Sequence, residues 1–146
     1  MISIRFDLNG NEKEYIGDEN LSLLDYLRNI AHITSVKDGC SAQGACGACL
    51  VEINSEPALS CRTRMKKLDQ AKIVTIEGFD QELRETLGRA FAEKGAVQCG
   101  FCSPGFLSRA KILLDHNPDP TRDDIVKALK LNLCRCTGYV KIVDAI

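Results

Sequence analysis

Apolar and polar positions alternate through the opening segment, where Ile2, Ile4, Phe6 and Leu8 share one face of an extended chain. The Asn9-Gly10 pair that follows favours a tight turn, so a β-hairpin is predicted, with a return strand over Glu12 to Gly17. The period then changes. Leu21, Leu23, Leu24, Leu27 and Ile30 recur at helical spacing behind Asn20 or Ser22 as a cap, which predicts one short helix lying on the sheet. A Gly-, Ser- and Ala-rich loop runs from Cys40 to Cys49. Strands are predicted at Leu50 to Ile53 and Ala58 to Leu59, around a turn at Asn54 to Pro57, and at Lys72 to Ile76. Residues 1–77 therefore read as a small α+β sheet domain.

From Gly78 onward no strand pattern returns. Leu83, Leu87, Ala90 and Phe91 fall at helical spacing, with Gly95 as a natural stop. Ser103 and Pro104 suit the cap and first turn of a helix reaching His116, which Asn117-Pro118 closes. Thr121 with Asp124 resembles a capping box for a helix over Ile125 to Leu133, and a last short helix follows Gly138. Residues 78–146 read as an all-helical domain. Each half is small for a core of its own, so metal ligation is expected to add stability that burial alone would not give.

Composition narrows the function. With 45% hydrophobic and 27% charged residues the 146-residue chain has a globular balance. It contains no apolar run near the roughly 18 residues of a membrane span, and its start has neither the basic flank nor the apolar stretch of a leader, so a cytoplasmic protein is expected. A net charge of −1, with acids and bases interspersed, offers no basic stripe to nucleic acid. Neither a Gly-x-Gly-x-x-Gly nor a P-loop pattern occurs, and no catalytic triad stands out.

Eight cysteines are the outlier, and they are grouped. Cys40-x5-Cys46-x2-Cys49 is followed after eleven residues by Cys61, close to the spacing of plant-type ferredoxins. Gly39, Gly44, Ala45, Gly47 and Ala48 are small enough to let backbone N–H groups approach the sulfurs of an anionic iron core. The second set is Cys99-x2-Cys102 and, 31 residues on, Cys134-x-Cys136. A helix starting at Pro104 would aim its positive end at the first of these pairs. Disulfides suit a reducing compartment poorly. Structural zinc accepts four thiolates as readily as iron does, so spacing alone leaves zinc open for the second set. His32 and His116 lie far from any Cys-x-His pairing and read as surface residues.

The residues around the second set carry a resemblance. Gln98-Cys99-Gly100-Phe101-Cys102-Ser103-Pro104-Gly105 and Cys134-Arg135-Cys136-Thr137-Gly138-Tyr139, in register with Cys46-Gly47-Ala48-Cys49, resemble the small iron–sulfur subunit of the molybdenum hydroxylases, a family that includes xanthine dehydrogenase, aldehyde oxidoreductase and carbon monoxide dehydrogenase. The resemblance spans essentially the whole chain. It implies a ferredoxin-like β-grasp domain and a four-helix domain, each with one [2Fe–2S] cluster, held by Cys40, Cys46, Cys49 and Cys61 and by Cys99, Cys102, Cys134 and Cys136. It further implies a large subunit carrying the molybdopterin cofactor and a medium subunit carrying FAD, with Gln98 and Cys136 approaching the pterin. Electron transfer without substrate chemistry would be the chain's part in such an oxidoreductase. A zinc-bearing interaction module and a free-standing two-cluster carrier are the alternatives. Because such a chain must dock on two sides, exposed apolar surface is expected on the helical domain and around Cys40 to Cys49. The family usually has four residues between its first two cysteines, and Ser41 to Ala45 make five here, which puts that loop's conformation in question.

Overall fold

The opening alternation becomes β1 (Ile2–Leu8), which buries Ile4, Phe6 and Leu8 and turns back through Asn9 and Gly10 into β2 (Asn11–Gly17). The computed structural model describes all of residues 1–146. Three further strands, β3 (Leu50–Ile53), β4 (Glu56–Leu59) and β5 (Lys72–Val74), complete a mixed sheet of order β2-β1-β5-β3-β4, with β1 and β5 parallel and the other pairs antiparallel.

β2 begins one residue earlier than expected, at Asn11, and two further strand boundaries differ, each for a local reason. The β3–β4 turn needs only Asn54 and Ser55, both left-handed, so Glu56 and Pro57 enter β4 instead of the turn. Proline is tolerated there because β4 is an edge strand. β5 stops at Val74 rather than Ile76 because the Asn9 side chain takes over Thr75, accepting from its N–H at 2.8 Å and donating to its hydroxyl at 2.9 Å.

The helix on the sheet also departs from its spacing. Ser22 caps a short α-helical turn, α1 (Leu23–Asp25), that widens into a π turn over Tyr26–Ile30, closed by Ala31 N–H to the Tyr26 carbonyl at 2.9 Å. The extra residue in a π turn shifts the face. Leu23, Leu24, Tyr26 and Leu27 are buried, whereas Ile30, expected on the sheet, is 51% exposed. Tyr26 meets Phe6 and Tyr15 edge-on, at centroid distances of 5.4 and 5.6 Å, in the middle of a 16-residue core.

The second half is helical throughout: α2 (Gln81–Glu93), α3 (Ser103–His116), α4 (Arg122–Ala128) and α5 (Val140–Ala145). α3 begins one residue earlier than expected, with Cys102 in the cap position, since the Cys102 carbonyl already accepts from Phe106 N–H. The Thr121/Asp124 capping box is present at α4. That helix ends at Ala128, short of Leu133, because a 3₁₀ turn over Leu129–Leu131 delivers Asn132 into extended conformation toward the first cysteine loop. Phe91, Phe106, Ile125, Leu129 and Ile142 centre the helical core.

A seam joins the halves. Val74 from the sheet packs with Phe79, Leu87 of α2 and Ala110 of α3. Beside it Lys111 Nζ lies 2.5 Å from Glu52 of β3 and 2.7 Å from Asp115. Burial works against this ammonium, yet the two carboxylates outweigh it and hold its pKa above the usual value.

Candidate metal centres

All eight cysteines are free thiols. The first set is gathered from two places: Cys40, Cys46 and Cys49 from the loop before β3, and Cys61 from a 3₁₀ turn after β4. Ser60 anchors that turn by donating from its hydroxyl to the Cys49 carbonyl at 2.8 Å, which draws Cys61 beside Cys49. The two loops are thus tied at the sulfur-bearing residues themselves.

The added residue between Cys40 and Cys46 is absorbed at Ser41 and Ala42, both left-handed. Asp38 supports this bend by accepting from the N–H groups of Cys40 at 3.2 Å and Ala42 at 3.0 Å. The loop then returns Ala45 N–H to 3.5 Å from Cys40 Sγ. That donor is the main cause that lowers the Cys40 thiol to about 7. Burial pushes Cys46 up and Cys61 up to about 12, the latter helped by neighbouring Cys49. One thiol is set to ionise easily, while the buried ones need a cation to do so.

The second set sits where helix ends meet. Cys102 opens α3, Cys99 precedes it, and Cys134 and Cys136 lie in the link to α5. Burial, then Cys134, pushes Cys102 up to about 12. Burial also opposes the Cys134 thiolate, but the Thr137 hydroxyl at 3.2 Å and N–H at 3.4 Å prevail and lower its pKa. Tyr139, left-handed at φ 73°, turns its side chain back to this link, and its hydroxyl oxygen accepts from Cys134 N–H at 3.1 Å. Gln98 Nε2 donates to the Cys136 carbonyl at 3.1 Å, so those two residues, far apart in sequence, stand together.

A cavity of about 550 Å³ lies over this second set, lined by Cys99, Cys102, Cys134, Cys136, Phe101 and Arg135 among others. Of its lining, Phe101, Leu133 and Tyr139 are exposed apolar residues, and Val97, Leu131 and Val140, close in sequence to the second set, are exposed as well. The first loop differs from expectation, since no large apolar residue between Ile30 and Val97 is exposed. His32 and His116 are at the surface.

The two sets adjoin. Leu133 N–H donates to the Cys46 carbonyl at 2.9 Å, linking a residue beside Cys134 to a residue of the first set. Asn132, 2% exposed, donates to the Gly47 carbonyl at 3.4 Å. Gly47 has positive φ, and a Cβ there would sit 2.7 Å from the Leu131 carbonyl; a Cβ on Gly105 would strike the Gly47 carbonyl. Glycine at these two positions is what lets the cysteine loops touch. The small size of Gly47 is legible in sequence as access to sulfur, and Asn132 stands just before the second cysteine pair, but the contact between them, a buried amide across 85 residues, has no local trace.

Six of the eight thiols stand in neighbouring pairs, Cys40 with Cys46, Cys49 with Cys61 and Cys102 with Cys134. Nowhere do three His, Cys, Asp or Glu side chains close on one point. Such pairing suits a two-iron core better than a tetrahedral zinc site, which draws all its ligands onto one ion. Fold and thiols together define a protein with two [2Fe–2S] sites. Family models concur: residues 6–71 match a 2Fe-2S iron-sulfur cluster binding domain and residues 75–146 a [2Fe-2S] binding domain. The small FeS subunit of nicotinate dehydrogenase from Eubacterium barkeri is 46% identical, with 99% of this chain and 92% of that protein aligned. Quinoline 2-oxidoreductase from Pseudomonas putida 86 superposes with a TM-score of 0.91 at 38% identity, covering 99% of this chain and 89% of the other. Aldehyde oxidoreductase from Desulfovibrio gigas does so with a TM-score of 0.92 at 44% identity, this chain corresponding to 16% of its length. The chain belongs to the family of small iron–sulfur subunits of the molybdenum hydroxylases, and its role is electron transfer in an oxidoreductase.

Proposed function

We propose that Cys40, Cys46, Cys49 and Cys61 hold one [2Fe–2S] cluster in a sheet domain of residues 1–77, and that Cys99, Cys102, Cys134 and Cys136 hold the other in a helical domain of residues 78–146. When bound, each cluster supplies one-electron storage at a potential that the surrounding protein tunes. This chain's residues then ligate, orient and insulate. Electrons enter at the helical half from a large molybdopterin-binding subunit and leave from the sheet half toward a medium FAD-binding subunit or another acceptor. The observation that carries this order is the asymmetry of exposure: the cavity takes in all four cysteines of the second set, of which Cys99 and Cys136 are exposed, whereas only Cys46 of the first set reaches it and Cys49 and Cys61 are buried. Gln98 and Cys136, hydrogen-bonded at the cavity mouth, face the pterin of the docked large subunit.

Transfer between the halves uses the contact from the Cys46 carbonyl to Leu133 N–H, the short hydrogen-bonded link from one ligand set to the other. No helix is long and apolar enough to cross a membrane, and eight free thiols fit the reducing cytoplasm. The test is to purify the chain with its native partners and measure iron, acid-labile sulfide, visible absorption and electron paramagnetic resonance after dithionite. About four irons and four sulfides per chain, with two distinguishable signals, are expected. Stoichiometric zinc in a colourless protein would overturn the reading.

A further inference from the structure

Arg109 lies on α3 about two turns beyond Cys102 and is half-buried. It takes part in none of the chain's six ion pairs. Its neighbour Lys111 shows the ordinary solution, a half-buried cation between two carboxylates. Arg109 has no such partner. Its side-chain hydrogen bond runs from Nε to Asn132 Oδ1 at 3.4 Å, and burial pushes its pKa down. A guanidinium partly withdrawn from water without a counter-ion is disfavoured unless an anion faces it.

The anion can be located from the same contacts. Asn132, which receives Arg109, also donates to the Gly47 carbonyl; it stands two residues before Cys134, and Gly47 stands between Cys46 and Cys49. The amide therefore holds Arg109 at the meeting of the two cysteine loops. We propose that Arg109 is the built-in counter-charge of the two iron–sulfur centres, held by Asn132 between their loops so that it favours the reduced state. This rests on the two-cluster reading above. The step concerned is one-electron reduction with no bond made or broken; the added negative charge is stabilised by the nearby cation, which raises the potential.

The test is a redox titration of the full-length chain carrying its clusters, followed by visible absorption and electron paramagnetic resonance with dithionite as reductant. Arg109→Met keeps the reach of the side chain and removes the charge, and Arg109→Lys keeps the charge. At the potential where a wild-type cluster is half-reduced, the Met variant is expected to show a reduced-to-oxidised ratio at least about threefold lower for one cluster or both, tenfold corresponding to about 59 mV for one electron. The Lys variant should retain most of the wild-type potential. Should Met fail to fold, Arg109→Gln serves as the neutral variant. Neutral variants that hold full iron and sulfide and titrate with wild type would overturn the proposal and leave the two-cluster reading standing. Equal shifts in Lys and Met would overturn it too, since packing and not charge would then be the cause. A wild-type chain lacking labile sulfide would instead remove the reading on which the proposal rests.

Discussion

Single atoms decide whether the two cysteine loops can meet. A methyl group on Gly105 would press on the Gly47 carbonyl, which is backbone and cannot swing aside as a side chain would. Overpacking of this kind costs roughly 1–3 kcal/mol. Gly105→Ala is therefore expected to lower the unfolding free energy read from urea titration by an amount in the upper part of that range, and to weaken the magnetic interaction between the two reduced centres. An unchanged midpoint would mean that the loops part without penalty. The cysteines give a sharper test of ligand assignment. Cys61→Ser should abolish one paramagnetic signal and spare the other, because Cys61 neighbours Cys49 and belongs with the first set. Loss of both signals would show that the sets do not load independently. The cysteine groups were legible from spacing alone, as was the need for small residues around them. The contact between Asn132 and Arg109 was not, since a buried amide beside a 3₁₀ turn and a half-buried guanidinium in mid-helix look in sequence like any polar residues.

Elements follow local rules wherever their neighbours leave them free. The hairpin turn, the Thr121 cap and the proline in the first turn of α3 all stand where chain-local chemistry puts them or within a residue of it. Thr121→Ala removes the hydroxyl that accepts from Asp124 N–H, and loss of such a cap costs about 1 kcal/mol. Equilibrium urea unfolding should show that loss as a lower midpoint with an unchanged slope; a changed slope would indicate an altered unfolded state instead. Where spacing misled, a partner from elsewhere had intervened. The π turn brings Tyr26 against Phe6 and Tyr15 and leaves Ile30 outside. α4 stops early because Asn132 is required at Gly47.

Across the whole molecule, the orientation of the helical half on the sheet is set by an apolar seam and one ion cluster around buried Glu52. Removing one member of a buried pair is costly because the other is left unpaired, about 3 kcal/mol or more. Lys111→Met is therefore expected to destabilise strongly by leaving Glu52 without its cation, and Glu52→Gln in the same chain should recover part of the loss. Full additivity of the two changes would show that they do not interact. The pH dependence has a definite sign. The pKa of Lys111 is raised on folding, so its contribution is complete below the unfolded value of about 10.4 and is lost only as pH rises through the folded one. The difference between wild type and Lys111→Met should accordingly stay flat from about pH 6 to pH 9 and narrow only in stronger alkali, as read by urea midpoints.

The order of elements, the division into a sheet half and a helical half, and the two groups of four cysteines with Gln98 beside them were determined by sequence, because periodicity, caps, turns and ligand spacing are properties of residues close together in the chain. The pairing of thiols, the early end of α4, the cavity over the second set and the bracket from Arg109 through Asn132 to Gly47 were decided by tertiary structure alone. Each of these joins residues far apart in sequence, and such contacts form only when two independently patterned surfaces pack, a step that no local spacing encodes.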